Sequence, residues 1–205
     1  VPVLPAEKLP SLVNPDGSFR RLEGFLEHLP ALNLDQVNAE WHAQVEKFIA
    51  VTGRAPDHLD SHHHSSYFTP ALFERMLRLA EELHCPMRKP FPEGSAVGAD
   101  YLPAHLVGAP GYGYTPEQGK HLARTTDRFI AAFCDQGATL QNLEKILLEV
   151  NNDPECDTFE LMCHPAVVDE ELMAISDYNT KRGDELEILT SKQVKAVVRE
   201  AGIEL

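Results

Sequence analysis

Basic clusters, long apolar runs and paired-cysteine motifs are all missing from this 205-residue chain. Lys and Arg total 18 against 32 Asp and Glu, a formal charge of −14, and the densest basic stretch is only Met87-Arg88-Lys89. Phosphate backbones are held by Lys and Arg clusters, so nucleic acid is not an expected partner. An acidic surface likewise repels anionic membranes. No apolar run approaches the roughly 18 residues that cross a bilayer, and no signal-like segment opens the chain. Cys85, Cys134, Cys156 and Cys163 show no CxxC spacing and read as reduced, mostly buried thiols. The expected compartment is therefore the cytoplasm. Internal repeats and low-complexity segments are absent too.

What is present suits one globular domain over residues 1–205, with 43% hydrophobic and 24% charged residues. The chain opens Val1-Pro2-Val3-Leu4-Pro5, and Pro10 and the turn Asn14-Pro15-Asp16-Gly17 follow. Such a start reads as the middle of a loop, so the domain is expected to be incomplete at its N-terminus. Leu34, Val37, Trp41, Val45, Phe48 and Ile49 recur at helical spacing, with Asn33 and Gln36 as the opening pair and Gly53 as the stop. A strand is expected to run into His58–His64. Thr69-Pro70 then opens a helix whose stripe is Leu72, Phe73, Met76, Ala80 and Leu83. Cys85–Arg88 reads as a short strand, and the Pro- and Gly-rich stretch from Lys89 to Tyr114 as a long functional loop.

Thr115-Pro116-Glu117-Gln118 is a capping box that predicts a further helix. Strands are expected at Phe129–Phe133 and Thr158–Cys163, around a helix over Thr139–Val150. Thr190-Ser191-Lys192-Gln193 caps a last helix, Gly202 ends it, and Ile203–Leu205 begins a further strand. This alternation predicts an α/β fold, a parallel sheet with helices outside, doubly wound or closed as a barrel.

The chemistry is concentrated in Asp60-Ser61-His62-His63-His64 and in Cys163-His164-Pro165. On a strand, side chains alternate between faces. His58, Asp60, His62 and His64 would then share one face, with His63 on the other as a structural residue. His62 and His164 each stand at or just past the C-terminal end of a predicted strand, the rim where active sites of parallel α/β folds collect. That placement favours the barrel.

The segments His58-Leu59-Asp60-Ser61-His62-His63-His64, Phe159-Glu160-Leu161-Met162-Cys163-His164-Pro165 and Leu186-Glu187-Ile188-Leu189-Thr190-Ser191 resemble the YdjC-type carbohydrate deacetylases, which include chitooligosaccharide deacetylase. The resemblance implies a distorted TIM-type (β/α) barrel, a divalent metal and hydrolysis of an N-acetyl group on a sugar. It also implies three metal ligands: an Asp of an Asp-Asp pair, a His of a Gly-x-His segment, and the first His of the Asp-Ser-His run. His62 matches the last, and the first two are expected upstream of Val1.

In amide hydrolysis a metal activates water and polarises the carbonyl, and a mixed Asp/His set does not name the metal; Zn or Mg is expected. His164 is the candidate general acid for the leaving amine, with a backbone-bonded strand-end His as its alternative. Asp60 is read as a residue orienting a ligand His, with direct ligation as the alternative. His64 is read as substrate-binding or solvent-exposed, and Arg88 as substrate-binding or surface-paired. Tyr101, Tyr112 and Tyr114 could stack on a sugar ring, and Tyr178 and Arg182 fit the family pattern without an assigned role. The expected partners are a small carbohydrate and, through exposed strand edges, a second copy in a homodimer. A phosphoesterase on the same barrel and a non-catalytic sugar-binding fragment are the alternatives.

Overall fold

The computed structural model describes residues 1–88 and 124–205, which form parts of two compact units, Val1–Thr125 and Thr126–Leu205. The long loop with Tyr101, Tyr112 and Tyr114 and the helix expected from Thr115 lie outside the described residues.

In the first unit the Asn14–Gly17 turn forms as the sequence implies. Asp16 Oδ1 accepts from the Ser18 amide at 2.9 Å, Gly17 takes φ +81°, and Val13 bridges Phe19 in antiparallel fashion. Three helices follow: α1 (Leu22–His28), α2 (Leu34–Thr52) and α3 (Pro70–Glu82). The Asn33 side chain caps α2 by accepting from the Asp35 and Gln36 amides, and Gly53 ends it at φ +72°. Thr69 caps α3 through the Leu72 amide, with Pro70 at the first position. The stripe Leu72, Phe73, Met76 and Ala80 is buried as expected, joined by Leu77 and Leu79, while Leu83 is only half-buried. Each fully buried Leu, Phe or Met side chain of the stripe stabilises the fold by about 1.5–3 kcal/mol.

The strand expected through His58–His64 does not form. Only Leu59 pairs, in a parallel bridge with Met87: its amide donates to Pro86 O, and its carbonyl accepts from Arg88 N, both at 3.0 Å. From His62 to Tyr67 the backbone coils into 3-10 turns, with His63 (φ 51°) and His64 (φ 56°) in the left-handed region. The Ser61 hydroxyl takes the Ser66 amide at 2.8 Å, which offers the backbone an alternative to a ladder. A His/Ser run also lacks the β-branched residues that favour a pleated strand. The two-face argument therefore ends at Asp60.

The second unit is built on β1 (Arg128–Ile130) and β2 (Phe159–Leu161), which pair in parallel with Phe129 opposite Glu160. A parallel pair needs a crossover, and α4 (Leu140–Asn151), capped by Thr139, supplies it. Both strands are shorter than the sequence pattern, and Phe133 lies beyond β1 yet is fully buried. Then come α5 (Glu170–Ile175), α6 (Thr180–Thr190) and α7 (Lys192–Glu200), with Ser191 capping the last. Phe133, Leu143, Ile146, Leu147 and Val194 form the core, and Ile203 packs on it rather than starting a strand.

The architecture is mixed α/β with a small parallel sheet, and the described strands do not close into a barrel. No described helix is long and apolar enough to cross a membrane. All four cysteines are free thiols, and burial pushes those of Cys85 and Cys156 above the ordinary range.

Candidate functional site

The first unit carries a cavity of about 570 Å³ between α2, α3 and the segment around Asp60. Phe25, Val37, Trp41, Leu72 and Met76 supply apolar lining, and Asp57, His58, Asp60, His62 and His63 line it with polar groups. The 3-10 segment places His62 and His63 in solvent, their rings edge to face with centroids 4.3 Å apart. Two consecutive non-glycine residues in the left-handed region cost about 1–3 kcal/mol each, strain that the surroundings must hold.

His64 supplies part of that hold. It is buried, not solvent-exposed, and its ring stacks on Tyr67 with centroids 6.0 Å apart. The Tyr67 hydroxyl in turn donates to the Arg88 carbonyl at 3.1 Å. The Arg88 guanidinium, only 13% exposed, pairs with the Asp60 carboxylate at 2.7 Å. Asp60 and Arg88 thus pin the two chains of the Leu59–Met87 bridge together just before the histidine run. His58 faces solvent and bonds its neighbour Asp57 at 2.7 Å, which lowers the Asp57 carboxyl below its usual value.

A metal needs several such donors at once. Among the described residues no three His, Cys, Asp or Glu side chains gather into a metal-holding group. The described side chains by themselves do not fit the metal that the resemblance implies. An exposed imidazole such as His62 can still contribute one ligand or move a proton.

In the second unit, β2 leads into His164, which is half-buried. Its amide donates to Glu185 Oε2, and its carbonyl accepts from Arg182 Nη1 at 3.3 Å. The Tyr178 hydroxyl donates to Glu185 Oε1 and accepts from the Asp135 amide at 2.8 Å. Burial first, and the bond to Glu185 second, push the Tyr178 phenol well above its ordinary value. The His164 ring meets the Tyr178 ring edge to face, with centroids 5.6 Å apart. Glu185 is completely buried and was not singled out from the sequence. The readable signal was spacing: Tyr178, Arg182 and Glu185 recur at i, i+4 and i+7.

The family model of the YdjC-like proteins matches residues 1–200. The chain belongs to the YdjC-like family. This YdjC-like protein is 34% identical to a carbohydrate deacetylase of Enterococcus faecalis, over 98% of the chain and 69% of that relative. It is 32% identical to a chitooligosaccharide deacetylase of Yersinia enterocolitica, over 98% of the chain and 71% of that relative. A crystal structure from Enterococcus faecalis V583, described as that of a cellobiose-phosphate cleavage protein, superposes with a TM-score of 0.79 at 34% identity. It covers 100% of this chain, which spans 70% of the crystal chain.

Proposed function

We propose that this YdjC-like protein is a carbohydrate deacetylase, removing the N-acetyl group from an amino sugar or chitooligosaccharide. The observation that carries this reading is its 34% and 32% identity, across 98% of the chain, to proteins named for deacetylation. In the reaction, water oxygen bonds to the acetyl carbon, the C–N bond breaks, and acetate and a free amine leave. His164, at the end of β2, protonates the departing nitrogen. His62 is the ligand this chain offers to a divalent metal, Zn or Mg. The partner ligands are not among the described residues, so no step is derived through that ion. Asp60, Arg88 and the buried His64 hold the His62 segment in place. In this reading the parallel strands belong to a barrel-like sheet, and the enzyme works in the cytoplasm.

The test is acetate release from N-acetylated chitooligosaccharides, read beside metal content. Wild-type protein should release acetate, and His164→Ala should slow it by about a hundred- to ten-thousandfold while keeping its metal. His62→Ala should lose both metal and activity. Phosphate release from a phosphorylated disaccharide, without acetate release, would favour the phosphoesterase reading. Sugar binding without turnover would favour a binding module.

A further inference from the structure

One stretch of the chain, Tyr178 and the first half of α6, holds His164 by its backbone and by its ring. Glu185 takes its amide hydrogen, and Arg182 Nη1 bonds its carbonyl at 3.3 Å. Both peptide groups flanking the His164 Cα are therefore held by this stretch. The imidazole itself lies edge-on to the Tyr178 ring at 5.6 Å and 78°. Tyr178 is fixed in turn: its hydroxyl reaches the second oxygen of Glu185, its carbonyl accepts from Arg182 Nε at 2.7 Å, and the Arg182 guanidinium lies 5.4 Å from its ring centroid.

A carboxylate at zero exposure is costly unless its oxygens are bonded. Here each oxygen has one donor, and the two donors are the His164 amide and the residue its ring packs on. An apolar side chain among the neighbouring Ile188 and Leu189 would fill the same space without that cost. What the carboxylate adds is a single arrangement: it couples the backbone of His164 to the ring that orients its imidazole. Removing either donor leaves a buried acceptor unmet, so the coupling is stiff.

We infer that Glu185, acting with Tyr178, is the positioning residue that sets the place and orientation of the His164 imidazole. The inference rests on the proposed role of His164 in deacetylation. Glu185 does not touch substrate. It acts by keeping the imidazole within reach of the leaving nitrogen, where a displacement of about 1 Å can cost about a hundredfold in rate.

Glu185→Gln preserves the shape but replaces one acceptor by an NH2 donor, so the side chain no longer serves both partners equally. In the full protein it should lower kcat by about ten- to a hundredfold with KM within about twofold of wild type. It should also shift the limb of the pH–rate profile that disappears in His164→Ala. The double variant with His164→Ala should be no slower than His164→Ala alone, since two residues acting as one unit are not additive. Tyr178→Phe removes only the hydroxyl and should give a smaller loss of the same kind. It decides the matter if Glu185→Gln does not fold by circular dichroism.

Nitrogen-15 NMR of the His164 ring gives a reading independent of turnover, and both variants should move its signals and titration midpoint. Unchanged ring signals, or rate losses that simply add to that of His164→Ala, would overturn the inference. If wild-type protein releases no acetate, the deacetylase reading falls, while the ring signals still decide whether Glu185 positions His164.

Discussion

His63, His64, His84 and Asp135 take positive φ among the described non-glycine residues, and three of the four are histidines. His84 does so just after α3, where the Cys85 amide reaches back to Ala80 O at 3.1 Å, a position glycine usually fills. Its Cβ is strained there, and its side chain faces solvent. His84→Gly should therefore raise stability by about 1 kcal/mol, measured by urea unfolding. A loss would mean that imidazole contacts outweigh the strain. His63 and His64 have the same backbone but opposite fates, one exposed and one buried against Tyr67. That difference was not legible in the sequence, because alternation assumes a strand and the Ser61 hydroxyl withdraws this segment from pairing. His62 and His164 were legible as candidates, whereas Glu185 was hidden by its charge, which reads as surface.

Helix beginnings were the most readable feature among the elements. Asn33 and Thr69 each cap the helix their position foretold, because a cap is a contact within three residues. Thr139 stands just before the helix it was expected to begin and caps it, and Ser191 caps the last helix in place of Thr190, which ends the helix before it. Asn33→Ala should cost about 1 kcal/mol in thermal or urea unfolding, and an unchanged midpoint would show that water replaces the cap. The short α1, α5 and α6 gave little periodic signal, and the buried residue of α6 is Glu185 rather than an apolar one.

The tie between α2 and α3 is pH-sensitive. His42 Nε2 lies 2.9 Å from Glu82, and that bond, followed by one to Asn38 O, raises the His42 pKa above its ordinary value. Folded His42 then holds its proton more tightly than unfolded His42, so this contribution is complete below about pH 6.5 and fades as pH rises through the folded value. The destabilisation caused by Glu82→Gln should accordingly be larger at pH 6 than at pH 8.5. Equal losses at both would show that the pair adds nothing through charge.

For the whole molecule, the second unit is the sharper test of packing. Phe133 is fully buried against Leu143, Ile146 and Leu147, so Phe133→Ala should cost about 3–5 kcal/mol. A cost under about 1 kcal/mol in urea unfolding would mean that the core collapses into the space. The sequence by itself determined the α/β class, the Asn33 and Thr69 helix starts, the Asn14–Gly17 turn and the two histidine-bearing segments, since all of these are written in neighbouring residues. Tertiary structure alone decided where the strands stop, which histidine is buried, and what holds the others. Asp60 meets Arg88, and His164 meets Glu185 across 21 residues of chain, only after the elements pack. Such pairings leave no local period to read, because a long-range bond depends on where folding brings two chains together.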